Sequence, residues 1–117
     1  MWKTIIIDDE QLARQRLKRL LKAYDEIEII GEAENGEQGL AIINELQPEL
    51  IFLDIEMPVL NGFEMLSRLT HQPKVVFTTA YDQYAIKAFE EGSVDYLLKP
   101  IEIERLDKTI KKLNVSI

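Results

Sequence analysis

Apolar residues recur along this chain in two rhythms. Short unbroken runs stand in Lys3-Thr4-Ile5-Ile6-Ile7, Leu50-Ile51-Phe52-Leu53, Val75-Val76-Phe77-Thr78 and Val94-Asp95-Tyr96-Leu97-Leu98. A run of this length, bounded by polar residues or proline, reads as a strand buried on both faces. Ile27-Glu28-Ile29-Ile30-Gly31-Glu32-Ala33 reads as another strand. Between these segments the apolar residues are spaced for one face of a helix. The spacing predicts a helix over Gln11 to Tyr24 with Leu12, Leu17, Leu20, Leu21 and Tyr24 inward, and a second over Glu37 to Leu46 with Leu40, Ile43 and Leu46 inward. Shorter helices are predicted from Phe63 to Leu69 and from about Gln83 to Glu91, the latter closed by Gly92. A fifth runs from Glu104 to Leu113 with Leu106, Ile110 and Leu113 on one face.

Strand and helix therefore alternate along the whole chain. Parallel strands need crossover connections, and right-handed crossovers place helices on both faces of the sheet. The predicted fold class is α/β, a flavodoxin-like (βα)5 three-layer sandwich with strand order 2-1-3-4-5. Its switch point lies between strands 1 and 3, where ligands bind at the carboxyl edge. The 117 residues suit one domain spanning 1-117, with no repeat or internal linker.

Composition narrows the function. A net charge of -7 argues against nucleic-acid binding by this segment and is compatible with binding a cation. The absence of cysteine excludes disulfides and thiolate metal sites and fits a reducing, cytoplasmic setting. No stretch reads as a signal peptide or a membrane span.

The residues at the strand ends carry the chemistry. Strand 1 delivers Asp8 and Asp9, and strand 3 delivers Asp54. Each is either the N-terminal cap of the following helix or a working group. Strands 1 and 3 are neighbours in the predicted order, so the three carboxylates converge. Like charges a few ångströms apart repel by roughly 4 kcal/mol per pair at an effective dielectric of 20, and a cation has to compensate them. All-oxygen ligands point to a hard cation, Mg²⁺ first, with Mn²⁺ and Ca²⁺ behind. Strand 4 adds the hydroxyls of Thr78 and Thr79, and strand 5 adds Lys99. A cation, an ammonium and a hydroxyl around one carboxylate make a receptor for a phosphoryl group. No glycine-rich phosphate loop is present. The single histidine, His71, lies in a polar turn and reads as surface.

These motifs, in order, resemble the receiver domain of a two-component response regulator. The resemblance rests on Ile5-Ile6-Ile7-Asp8-Asp9-Glu10, Leu53-Asp54-Ile55-Glu56-Met57-Pro58 with Asn61-Gly62, Thr79-Ala80, and Tyr96-Leu97-Leu98-Lys99-Pro100. It implies that Asp54 accepts a phosphoryl group from a sensor histidine kinase. It implies that Asp9, Asp54 and the backbone carbonyl of Glu56 hold Mg²⁺ (or Mn²⁺), with Asp8 acting through water. Thr79 and Lys99 would bind phosphoryl oxygens, Tyr96 would follow Thr79 inward, and the Lys99-Pro100 peptide would be cis. Glu56 and Tyr81 would flank the path of attacking water and modulate the phosphoryl lifetime.

Thr79-Ala80-Tyr81-Asp82-Gln83-Tyr84-Ala85 with Ala88-Phe89 is similar to receivers that precede a LytTR-type DNA-binding domain, the LytR/AlgR class. The inner face of the fourth helix would explain Tyr84, Ala85, Ala88 and Phe89 equally well. The subfamily resemblance implies transcription regulation through a C-terminal output domain. DNA would be contacted only by that domain, and this chain, ending at Asn114-Val115-Ser116-Ile117, is either a stand-alone receiver or, as the reading prefers, cut short of that domain. The face of helix 4, strand 5 and helix 5, with Lys87, Glu90, Glu91, Lys108, Lys111 and Lys112, is either a homodimer surface or plain solvated surface. The competing enzyme reading is a Mg²⁺-dependent aspartyl-phosphate phosphatase or phosphotransferase acting on small substrates, for which 117 residues leave no spare substrate domain. A binding module without phosphorylation is disfavoured by the complete acid set. A flavin-binding protein of the same topology is disfavoured by the acidic loop after strand 1.

Overall fold

The computed structural model describes residues 1–115. Its strands are β1 (Trp2–Ile7), β2 (Ile27–Ala33), β3 (Leu50–Asp54), β4 (Lys74–Thr79) and β5 (Asp95–Leu98). Its helices are α1 (Gln11–Leu21), α2 (Gly36–Leu46), α3 (Gly62–Ser67), α4 (Ala85–Glu90) and α5 (Ile103–Val115). A 3-10 turn, Asp82–Tyr84, leads into α4. The strands form one sheet in the order β2-β1-β3-β4-β5, parallel throughout. This is the flavodoxin-like order expected from the alternation.

Alternation within the strands divides the core between the two faces. Ile5, Ile7, Ile51, Leu53 and Phe77 pack with Ile43 of α2 and Met65 and Leu66 of α3. Ile6, Leu50, Phe52, Val76 and Leu97 pack with Leu17 and Leu21 of α1 and with Leu106, Ile110 and Leu113 of α5. Fully burying a side chain such as Phe52 contributes about 1.5–3 kcal/mol. Every residue of β3 is buried, as befits the central strand.

Local signals set the helix starts. Asn35 caps α2 by accepting from Gln38 N at 2.8 Å. Asn61 and Glu64 form a reciprocal capping box at α3, with both bonds at 2.9 Å. Gly92 follows α4 at φ 76, a left-handed conformation that glycine adopts without steric cost.

Helical spacing misplaced four apolar residues. Leu12 is 80% exposed, because Arg14 takes the inward position on that turn of α1. The Arg14 guanidinium is satisfied there by the Asp8 carbonyl at 2.7 Å and by Glu32 at 2.8 Å. Leu46, at the end of α2, is partly exposed because the chain turns away at Gln47, where φ is 50. Phe89 is 73% exposed and Ala85 is exposed as well. The inner face of α4 is narrower than its spacing suggests, with Ala88 buried and Tyr84 half-buried at its start. The fifth helix extends past Leu113 to Val115, and Ser116 and Ile117 of the expected terminus lie outside the described residues. His71 is half-buried, with Nε2 donating to the Pro48 carbonyl at 2.6 Å.

Candidate functional site

Strand register brings the polar strand ends together. Ile7 of β1 pairs with Leu53 of β3, Asp54 pairs with Thr78 of β4, and Thr79 pairs with Leu98 of β5. Asp8, Asp54, Thr79 and Lys99 therefore share the carboxyl edge of adjacent strands.

Asp54 is only 2% exposed. The backbone of the next residue, Ile55, is held from both directions: Ile55 N donates to Thr78 O at 3.0 Å, and Gly62 N donates to Ile55 O at 2.9 Å. A side chain at position 62 would place its Cβ 2.5 Å from the Asp54 carbonyl oxygen, so only glycine fits this close approach. The loop after Asp54 is thus folded back onto the end of β3.

Asp8 is buried, while Asp9 and Glu10 are exposed. Asp8 Oδ1 accepts from Glu10 N at 2.9 Å, which curls the acidic segment into a turn. Carboxylate oxygens of Asp8, Asp9 and Glu10 come within 4.8 Å of one another. The Lys99 ammonium lies 2.8 Å from Asp8 Oδ2, 3.1 Å from Glu10 Oε1 and 3.5 Å from Asp54 Oδ2. The Lys99–Pro100 peptide is cis.

The electrostatics follow from this packing. Burial and the Asp8 charge push the Asp54 carboxyl up to about 8, against the opposing pull of Lys99, and Asp9 pushes the same way as Asp8. Burial disfavours the Lys99 ammonium, but its bond to Asp8 and the charges of Asp54 and Asp8 outweigh this and hold its pKa above the usual lysine value. The pocket is therefore short of positive charge, and its donors are all oxygen. That is the chemistry a hard divalent cation compensates, so the residues fit Mg²⁺. The side chain of Glu10 stands in the same cluster, although the sequence reading gave it no role. Its signal was its place as the third acid of one run.

Thr79 is fully buried at the end of β4. Its Oγ1 accepts from Tyr81 N at 3.2 Å. The Tyr81 carbonyl in turn accepts from the Tyr96 hydroxyl, so Thr79 and Tyr96 are joined through one residue of the β4–α4 connection. The Tyr81 ring is half exposed. Glu56, two residues past Asp54, is exposed, and its carboxylate accepts from the Tyr84 hydroxyl.

A second cluster, centred on Asp95 at the start of β5, was not anticipated. Arg105 grips the Asp95 carboxylate with both terminal nitrogens at 2.7 Å, and Thr109 donates to it at 2.6 Å. Lys112 lies 3.2 Å away. Burial alone would raise this carboxyl, but the bonds from Arg105, Thr109 and the Tyr96 amide hold it well below the ordinary range. The i, i+4, i+7 spacing of Arg105, Thr109 and Lys112 was the available signal. Three of the charges expected on the α4–β5–α5 face are thus engaged within the domain. Lys112 is on Asp95, Lys111 is on Asp107 at 2.9 Å, and Lys87 lies over the Phe63 ring at 5.1 Å.

An open αβ sheet in the order 2-1-3-4-5, with an acidic pocket and a lysine at its carboxyl edge, defines a class that known proteins confirm. Residues 4–111 match the response regulator receiver domain, and the chain belongs to that family. It is 51% identical over 115 residues to the transcriptional regulatory protein BtsR of Salmonella typhimurium, covering 97% of this chain and 48% of that protein. It is 50% identical to BtsR of Escherichia coli K12 over the same length. The chain spans about half the length of these relatives. Among solved structures, the response regulatory domain of mrkE from Klebsiella pneumoniae superposes with a TM-score of 0.87 at 36% identity, covering 97% of this chain and 96% of that one. A LuxR-family DNA-binding response regulator from Staphylococcus aureus gives 0.85 at 33% identity, covering 97% and 99%. No helix among the described residues is long and apolar enough to cross a membrane.

Proposed function

We propose that residues 1-117 act as a single phosphoacceptor domain in the cytoplasm, taking a phosphoryl group onto Asp54 from a sensor histidine kinase. The observation that carries this reading is the placement of a buried Asp54 carboxylate, 3.5 Å from the Lys99 ammonium, at the end of the central strand. Asp9, Asp54 and the Glu56 carbonyl would hold Mg²⁺, with Asp8 acting through water; the bound ion would offset the pocket's negative charge and that of the phosphoryl oxygens. Asp54 attacks phosphorus as a carboxylate while the bond from phosphorus to the kinase's histidine nitrogen breaks and its electron pair returns to that ring, and Lys99 pairs with a phosphoryl oxygen. The added dianion then draws the Thr79 hydroxyl inward. That frees the Tyr81 amide, whose carbonyl is tied to Tyr96, and Tyr96 follows. The α4–β5–α5 face repacks, with a coupling on the order of 1–3 kcal/mol that biases an equilibrium.

That face exposes Ile86, Phe89 and Leu98, which suits pairing with a second copy across a two-fold axis. The output is transcription regulation through a domain beyond this segment, of the LytTR type. Relatives named as transcriptional regulators and about twice as long support an output of this kind.

The test is incubation with Mg²⁺ and a small acyl phosphate, read by intact mass. One added phosphoryl group is expected, absent in Asp54→Asn and in the presence of a chelator. No gain, or a gain that survives Asp54→Asn, refutes the assignment. Catalytic turnover of a generic phosphomonoester would favour a phosphatase instead.

A further inference from the structure

We propose that Tyr84 is a positioning residue that holds the Glu56 carboxylate away from Asp54 and thereby sets how long a phosphoryl group stays there. The proposal rests on the reading of Asp54 as phosphoacceptor.

The geometry begins with alternation. Past the end of β3, Ile55 and Met57 are both buried in the core cluster while Glu56 between them is exposed, two residues from Asp54. Glu56 follows Ile55, whose backbone is held by its bonds to Thr78 and Gly62. Only its side chain is left to choose a direction, and the Tyr84 hydroxyl, 28 residues along the chain, chooses it. The Tyr84 ring is itself fixed. It packs 6.0 Å from the Phe63 ring, which lies 4.9 Å from Phe77 of β4. Glu56 is therefore tethered to the turn that starts α4, on a post anchored in the core.

The chemistry gives the tether its consequence. Loss of the phosphoryl group is attack of a water oxygen on phosphorus. The bond from phosphorus to the Asp54 carboxylate oxygen breaks, the carboxylate is restored and inorganic phosphate departs. A carboxylate beside the attacking water accepts its proton and speeds this step. Glu56 stands two residues from the acceptor and is the exposed carboxylate nearest to it along the same segment. Bonded to Tyr84, it is directed at α4; released, it is free to engage that water. Because Tyr84 ends the 3-10 turn that leads into α4, any displacement of that turn releases Glu56 and shortens the phosphorylated lifetime.

The experiment compares the full chain with Tyr84→Phe, Glu56→Gln and the double variant. Each is loaded with a small acyl phosphate and Mg²⁺, desalted, and followed by intact mass. Tyr84→Phe keeps the ring on Phe63 and removes only the hydroxyl, so the fold is retained. Its phosphoryl group is expected to be lost about three- to tenfold faster than in the unmodified protein. In the Glu56→Gln background the same substitution is expected to change the rate less than about twofold, the signature of a coupled pair. An unchanged rate in Tyr84→Phe overturns the proposal. So does equal acceleration in both backgrounds, which would mean that the substitution only loosens the fold. If the unmodified protein takes up no phosphoryl group at all, the phosphoacceptor reading falls first and this proposal with it.

Discussion

The Lys99 ammonium lies 2.8 Å from Asp8 Oδ2, nearer than the 3.5 Å that separates it from Asp54 Oδ2. Lys99 is thus the resident counter-ion of the acidic pocket, beside Asp54 without being fully committed to it. A divalent ion held as proposed by Asp9, Asp54 and the Glu56 carbonyl would compensate part of the charge that Lys99 now balances alone.

Removing that counter-ion leaves two buried carboxylates facing each other. Lys99→Ala is expected to lower the stability of the metal-free protein by about 2 kcal/mol at neutral pH. Mg²⁺ should recover more stability in the variant than in the parent, because it then compensates more charge. Urea denaturation with and without Mg²⁺ measures both.

The raised Asp54 pKa makes stability fall with rising pH. Burial and the Asp8 charge push the folded carboxyl up to about 8 from its ordinary 3.8, so between these pH values the folded state binds the proton more tightly. The stabilisation is complete below about 4 and is lost as pH rises through about 8. Asp54→Asn removes this dependence and is expected to stabilise the metal-free protein at pH 8 on the order of 2 kcal/mol. A thermal melt series from pH 5 to 9 is the check, and parallel curves for the two proteins would refute it.

Asp95 should behave in the opposite sense. Its folded pKa is depressed, so its contribution is present above the unfolded value and disappears as pH falls below it. Asp95→Asn unpairs Arg105 and weakens the attachment of α5, at a cost of about 2 kcal/mol at pH 7. Hydrogen exchange of α5 amides should rise selectively in this variant.

Gly62→Ala forces a Cβ to within 2.5 Å of the Asp54 carbonyl oxygen, where the obstacle is backbone and cannot rotate away. Destabilisation of about 2 kcal/mol is expected, together with slower phosphoryl uptake as the acceptor segment shifts. Gly92→Ala meets no atom within 4 Å and carries only the strain of its positive φ, so uptake should be unaffected.

Much of the fold was legible because strand and helix periods differ so clearly. The run Leu50–Leu53 is buried throughout, and Leu106, Ile110 and Leu113 face the core as their spacing requires. Leu12, Leu46 and Phe89 were not legible. Periodicity identifies a stripe, but it cannot tell where an inward arginine or the end of a helix withdraws a residue from it. In the site, Asp8, Asp54, Thr79 and Lys99 stand at strand ends that could be placed by counting. The Tyr84 bond to Glu56 and the Asp95 cluster join residues from elements whose approach no local pattern encodes.

The sequence alone determined the alternation of elements, the strand order that follows from it, and the delivery of acids, a hydroxyl and a lysine to one edge of the sheet. Side-chain period and connection length are local properties, and they suffice for that. Only the tertiary structure decided which carboxylate Lys99 favours, that Glu10 joins the acidic cluster, how far burial shifts Asp54, and where Glu56 points. Those are matters of distance and solvent exclusion between segments far apart in the chain. They are set by strand register and by the loops that fold back over it.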